Sequence, residues 1–146
     1  MSVDEDERDL NQIAMQAQVL QRQGGALQNQ LDMLQNTLND LQSTIDTLEQ
    51  LAKAKEVGLL PIGSGAYITC KSVDTDQVMI SVGAGLIVNK KAADAAEMLR
   101  KRLKTVGDAF DKGQKSLAVI NQQMQDLNAQ AAVLSARIDD VRPAQG

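Results

Sequence analysis

Between residues 10 and 52, apolar side chains recur at alternating spacings of three and four. One seam, a, holds Leu10, Ala17, Gly24, Leu31, Leu38, Ile45 and Ala52; the other, d, holds Ile13, Leu20, Leu27, Leu34, Leu41 and Leu48. The alternation holds for six heptads without a slip. Three or four heptads already mark a coiled coil. The faces between the seams are Gln, Asn, Asp, Ser and Thr, which suits solvent. The pattern returns over residues 96–141, with a at Ala96, Leu103, Phe110, Leu117, Met124, Ala131 and Ile138 and d at Leu99, Val106, Gly113, Ile120, Leu127, Leu134 and Val141. Asn89 is read as the N-cap of this second helix and Pro143 as its stop. Gly24–Gly25 is a weak point, at about 1 kcal/mol per glycine relative to alanine.

Two such segments of equal length predict an antiparallel pair in which each seam covers the other. A register with flush ends sets Leu10 against Val141, Gly24 against Leu127, Gly113 against Leu38 and Ala131 against Leu20, small against large. A shift of one heptad does nearly as well.

The block between them changes character. From Leu59 to Asn89 it is β-branched and punctuated by glycine, and predicts strands near 59–62, 66–73, 77–82 and 86–89. Apolar residues fall on one parity: Leu60, Ile62, Ala66, Ile68 and Cys70, then Val78, Ile80, Val82, Leu86 and Val88. Such alternation marks half-buried strands. Gly63-Ser64-Gly65, Asp74-Thr75-Asp76 and Gly83-Ala84-Gly85 read as three-residue hairpin turns. Ile62-Gly63-Ser64-Gly65-Ala66-Tyr67-Ile68 is echoed twenty residues later by Val82-Gly83-Ala84-Gly85-Leu86-Ile87-Val88, which two like hairpins explain. A four-stranded patch of this size has open edges and an apolar face, and is marginal alone. A closed barrel built from several chains would supply the missing strands. The expected division is an acidic disordered tail over 1–9, helix 1 over 10–57, the hairpins over 58–89, helix 2 over 90–142 and a tail over 143–146.

Composition narrows the function. The chain has 146 residues, no His, no Trp, one Cys and two other aromatics, Tyr67 and Phe110. The absence of His removes the usual general base, pH switch and metal ligand. A lone Cys70 makes neither an internal disulfide nor a thiolate cluster, and on the inward parity of a strand it reads as a small core residue. Asp4, Glu5, Asp6, Glu7 and Asp9 against Arg8 place the whole net charge of −4 in the first nine residues, which reads as a frayed, solvated tail. An acidic docking tail is the alternative. No apolar run spans a bilayer and the N-terminus is acidic where a signal peptide is basic, so a cytoplasmic location is expected.

Other motifs dissolve on inspection. Gly83-Ala84-Gly85 lacks the third glycine of a dinucleotide loop, whose place is taken by Val88, and no helix follows directly. Gly63-Ser64-Gly65 is not a nucleophile elbow. Arg100, Lys101, Arg102 and Lys104 read as a solvated helix face. No catalytic residue, cofactor site or metal site is expected, and no nucleic-acid or membrane partner. Toward the outer ends of the helices, however, apolar residues appear off the seams: Met15 and Val19 on the first, Ala129, Ala132, Val133 and Ala136 on the second. This is more apolar surface than a two-helix seam uses, and it suits contact with other proteins.

Two long heptad helices around a doubled hairpin resemble the alpha-class subunits of archaeal-type prefoldin. Leu60-Pro61-Ile62-Gly63-Ser64-Gly65-Ala66 and Ser81-Val82-Gly83-Ala84-Gly85-Leu86 carry the likeness, because the beta class has a single hairpin there. The resemblance implies a mostly α fold whose hairpins join an intersubunit β-barrel in a hexamer of two alpha and four beta subunits. It implies an ATP-independent holdase whose coiled-coil tips capture non-native chains and deliver them to a group II chaperonin. On that basis Leu10, Ile13, Met15, Val19, Val133, Leu134, Ile138 and Val141 are the candidate client contacts, and Leu60, Ile62, Ile68, Val78, Ile80, Val82, Leu86 and Val88 the candidate oligomerisation residues. The competing reading is a coiled-coil scaffold or adaptor with a β oligomerisation head and no affinity for unfolded chains.

Overall fold

A computed structural model describes residues 3–53 and 58–141. The element order is α1 (Val3–Lys53), β1 (Leu59–Gly63), β2 (Ala66–Thr69), β3 (Val78–Gly83), β4 (Leu86–Lys90) and α2 (Ala92–Val141). The expected end of helix 1 at 54–57, the last residue of helix 2 at 142, Pro143 and the tail over 143–146 lie outside the described residues. The chain divides into two compact units, a terminal unit up to Leu34 and from Ala109, and a central unit over Gln35–Asp108.

In the terminal unit the two helix segments meet along the predicted seams. Leu10, Ile13, Ala17, Leu20, Gly24, Leu27 and Leu31 are half-buried or buried, and so are Gly113, Leu117, Ile120, Met124, Leu127, Ala131, Leu134 and Ile138. The register is the alternative one, displaced by one heptad from the flush pairing expected above. Gly113 faces Leu31, not Leu38: a β-carbon at Gly113 would lie 2.5 Å from Leu31 Cδ2. Gly24 faces Leu117 and Ile120 (3.9 and 3.5 Å from its missing β-carbon), not Leu127. Leu31 is left 3% exposed, so glycine at 113 makes room for a fully covered leucine.

The extra heptad comes from the stretch expected to be a disordered tail. Val3 to Asp9 is helical and continues the seam, with Val3 half-buried and Asp6 buried. Two forces order it. Asp4, Glu5 and Asp6 occupy the first turn, where the helix dipole favours negative charge. Asp6 also forms an ion pair with Arg137.

The central unit contains both hairpins. β1 pairs antiparallel with β2, and β3 with β4, in two separate two-stranded sheets. Gly63 pairs with Ala66 and Gly83 with Leu86, so the turns are two-residue, Ser64-Gly65 and Ala84-Gly85, each preceded by a register shift. This replaces the expected three-residue turns. Both central residues have positive φ (51° and 76°, 52° and 75°), as type I′ turns require. The Asp74-Thr75-Asp76 segment is not a hairpin turn, because β2 and β3 belong to different sheets. There Asp76 N–H donates to Asp74 Oδ1 at 3.0 Å, an Asx turn.

β2 ends at Thr69, short of the expected 73. Cys70 lies just beyond it, half-buried, its thiol donating to the Ser72 carbonyl at 3.1 Å. Asn89 is in β4, paired with Met79, and is not the cap of α2. The helix starts instead with Ala95 N–H on the Lys91 carbonyl (2.8 Å), and the otherwise orphaned Ala92 N–H is taken by the Thr75 carbonyl (2.8 Å). The core of this unit is Ile45, Ile80, Ala95 and Leu99, with Leu41, Leu48, Val78, Val88, Met98 and Leu103 packed around it. Ala52, expected on the seam, is exposed, and Leu51 is half-buried in its stead.

Candidate functional site

The candidate client residues fall into two groups. Leu10, Ile13 and Leu134 are half-buried in the seam and Ile138 is only 8% exposed, so these four hold the helices together. Met15, Val19, Val133 and Val141 are exposed. Val141 is exposed even though the heptad placed it at a d position.

The exposed group has a side. In the heptad frame with Leu10 and Ala96 at a, Val19, Met33, Val119 and Val133 all occupy c positions, and all are more than half exposed. Val19 and Val133, but not Met33 or Val119, line a groove formed by both helix segments. One part, of about 570 Å³, has Ile13, Ala129, Val133 and Leu134 as its apolar lining and Gln12, Gln16 and Gln130 at its edges. A second part, of about 550 Å³, shares Gln16 and is lined by Met15, Val19, Leu20 and Leu127, with Gln23 and Gln123 beside them. The charged residues lining these two parts are Asp9 and Asp126.

The other side of the same unit differs. Its b and e positions are Asp4, Glu7, Asn11, Ala14, Gln18, Gln21, Gly25, Gln28 and Asp32 on α1, with Ala118, Asn121, Gln125, Asn128, Ala132 and Ser135 among those on α2. None carries an apolar side chain larger than alanine. Ala132 and Ala136, grouped with Val133 by their place off the seam, do not line the groove. Glutamines bond along the helix on both sides. Gln28 donates to Asp32 at 3.0 Å, and Gln122 to the groove's Asp126 at 3.1 Å, each one helical turn on. Among the described residues no side-chain hydrogen bond within the chain engages the rim residues Gln12, Gln16, Gln23, Gln123 or Gln130. The apolar residues were legible in the sequence as off-seam positions. The amide rim and its two acids were not singled out, though comparing c and g positions with b and e positions would have found them.

The candidate oligomerisation residues also divide. Ile80 is buried, and Val78 and Val88 are half-buried, packed on the chain's own helices. Leu60, Ile62, Ile68, Val82 and Leu86 are exposed. Every residue of β1 and β2 is exposed, including Leu59 and Tyr67 on the face opposite Leu60 and Ile68. Of the basic run on α2, Arg100 is paired with Glu49 and Glu97, and Arg102 donates to the Ser81 carbonyl at 2.8 Å. Lys101 and Arg102 border a third groove, in the central unit, whose apolar lining includes Leu41, Met98 and Val106. Among the described residues no cluster of His, Cys, Asp or Glu is placed to hold a metal ion, and no helix is long and apolar enough to cross a membrane.

Comparison with known proteins decides the family. The family model for prefoldin subunits matches residues 20–137. The chain belongs to the prefoldin family. It is 32% identical over 127 residues to prefoldin subunit alpha of Pyrococcus horikoshii, covering 85% of this chain and 86% of that protein. It is 30% identical over 131 residues to prefoldin subunit alpha of Methanosarcina acetivorans, covering 86% of this chain and 92% of the relative. Among solved structures it resembles the filamentous prefoldin of Methanocaldococcus jannaschii, with a TM-score of 0.65 at 22% identity over 80% of this chain and 98% of that one. The prefoldin fold accounts for two long helices with two small antiparallel hairpins between them. The matched span begins at Leu20, so Ile13, Met15 and Val19 precede it.

Proposed function

We propose that this chain is an ATP-independent chaperone subunit that holds non-native polypeptides at its helix ends and releases them to a group II chaperonin. Membership of the prefoldin family, which implies a chaperone subunit, supports the reading. The observation that carries it is the exposed apolar set Met15, Val19 and Val133 beside a seam that is already satisfied. Weak contacts of this kind gain avidity when several subunits act together, and release then needs no nucleotide. The assembly is a hetero-oligomer of two alpha and four beta subunits. Leu60, Ile62, Ile68, Val82 and Leu86 meet strands of neighbouring subunits, since a two-sided apolar hairpin such as β1–β2 is marginal by itself.

The test is an aggregation assay. A denatured, unrelated protein is diluted into buffer containing the assembled complex, without ATP, and light scattering is followed. Suppression by the full-length complex, lost when both helix ends are trimmed, is the expected result. No suppression by an assembly of native mass would overturn the proposal and favour a scaffold.

A further inference from the structure

We infer that the terminal unit binds clients on one side only, and that the groove there prefers an extended apolar segment flanked by lysine or arginine. The inference rests on the holdase reading and deepens it. Three observations on the groove carry it. The large exposed apolar side chains Val19 and Val133 lie on this side, whereas the opposite side offers nothing larger than alanine. The groove is edged by amides that make no side-chain hydrogen bond within the chain, among them Gln16 and Gln130. Its charged residues, Asp9 and Asp126, are both acidic.

Each observation specifies part of the occupant. The groove runs from Asp9 to Gln23 along α1, about 21 Å at 1.5 Å per residue. That length takes about six residues of extended chain. Amides carry both donors and acceptors and serve a main chain whose own N–H and C=O groups are unpaired. An extended non-native segment presents such a main chain, while a helix has already satisfied its own. Two carboxylates favour cationic flanks and disfavour acidic ones. Electrostatic preference here is modest, because both acids lie at a solvated rim.

The experiment uses the full-length chain in its native assembly and two fluorescein-labelled peptides. They share one alternating apolar core of about six residues and differ only in lysine or glutamate flanks. By fluorescence anisotropy at low ionic strength, the lysine-flanked peptide should bind about fivefold more tightly, and the difference should shrink in high salt. Val133→Asp should weaken both peptides about tenfold. Ser135→Asp, on the opposite side, should leave both unchanged. Exchanging Asp9 and Asp126 together for lysine should reverse the preference. Equal affinity for the two peptides, or equal loss in the Val133→Asp and Ser135→Asp variants, would overturn the inference. Light scattering is read on the same samples. Aggregation suppressed by wild type with no peptide selectivity defeats the groove alone, whereas no suppression and no peptide binding defeats the chaperone reading as well.

Discussion

The two hairpins share a local code and differ in their surroundings. Ile62-Gly63-Ser64-Gly65-Ala66 and Val82-Gly83-Ala84-Gly85-Leu86 fold into the same two-residue turn with the same glycine-centred register shift. Yet β1–β2 is exposed on both faces. The β3–β4 hairpin has one face in the core through Val78, Ile80 and Val88, and Arg102 donates to its Ser81 carbonyl. A similar sequence thus yields one hairpin packed within its own chain and another that its own chain leaves uncovered. The lesson is that alternation identifies a strand face that wants cover but says nothing about who covers it.

The sharpest way to break this comparison is a matched pair of substitutions. Ile80→Asp puts a carboxylate into the core and should destabilise the full chain by about 4 kcal/mol or more, visible as a collapse of its thermal transition. Ile68→Asp, at a 54% exposed position, should change that transition by under about 0.5 kcal/mol. It should nonetheless abolish the hetero-oligomer in sedimentation. A native-mass assembly with Ile68→Asp would refute the division of labour between the hairpins.

A second pair of substitutions probes the turns. Gly83 and Gly63 have φ of +100° and +116°, where a side chain is strained. Gly83→Ala should cost about 1–2 kcal/mol in denaturant unfolding of the full chain. Gly63→Ala should leave that unfolding unchanged and weaken assembly instead. Arg102→Ala removes one donor from the solvent-exposed Ser81 carbonyl and should cost about 1 kcal/mol, with faster hydrogen exchange at β3 and β4 but not at β1 and β2. The smallest effect is a gain. Ala84 sits at φ 52°, and Ala84→Asn supplies the Asn-Gly pair that this turn favours. It should stabilise the second hairpin by about 0.5–1 kcal/mol. Ser64→Asn should do the same for the first, detectable only in the affinity of assembly.

The seams were legible almost residue by residue, because burial in a helix pair follows the apolar period directly. Helix at residues 3–9 was not, because a run of acids carries its meaning through position and not through charge alone. At a helix N-terminus those acids are favourable, and Asp6 has Arg137 as its ion-pair partner. The candidate site was half legible. Met15, Val19 and Val133 stood out by leaving the seam, whereas their common side, and the separation of Val133 from Ala132, required knowing which edges of the two helices adjoin.

What the amino-acid sequence determined by itself is therefore local or periodic: two heptad helices, two glycine turns, and the inward parity of β3 and β4. Each depends on a residue's own φ and on neighbours within a turn or two. The tertiary structure alone decided which heptad of α1 meets which heptad of α2. A seven-residue repeat makes adjacent registers nearly equal in energy, and the contacts that mark the one adopted, Gly113 against Leu31 and Asp6 with Arg137, join residues far apart in the chain. It alone decided, for the same reason, that Ile80 is covered by the chain's own helices while Ile68 is left exposed.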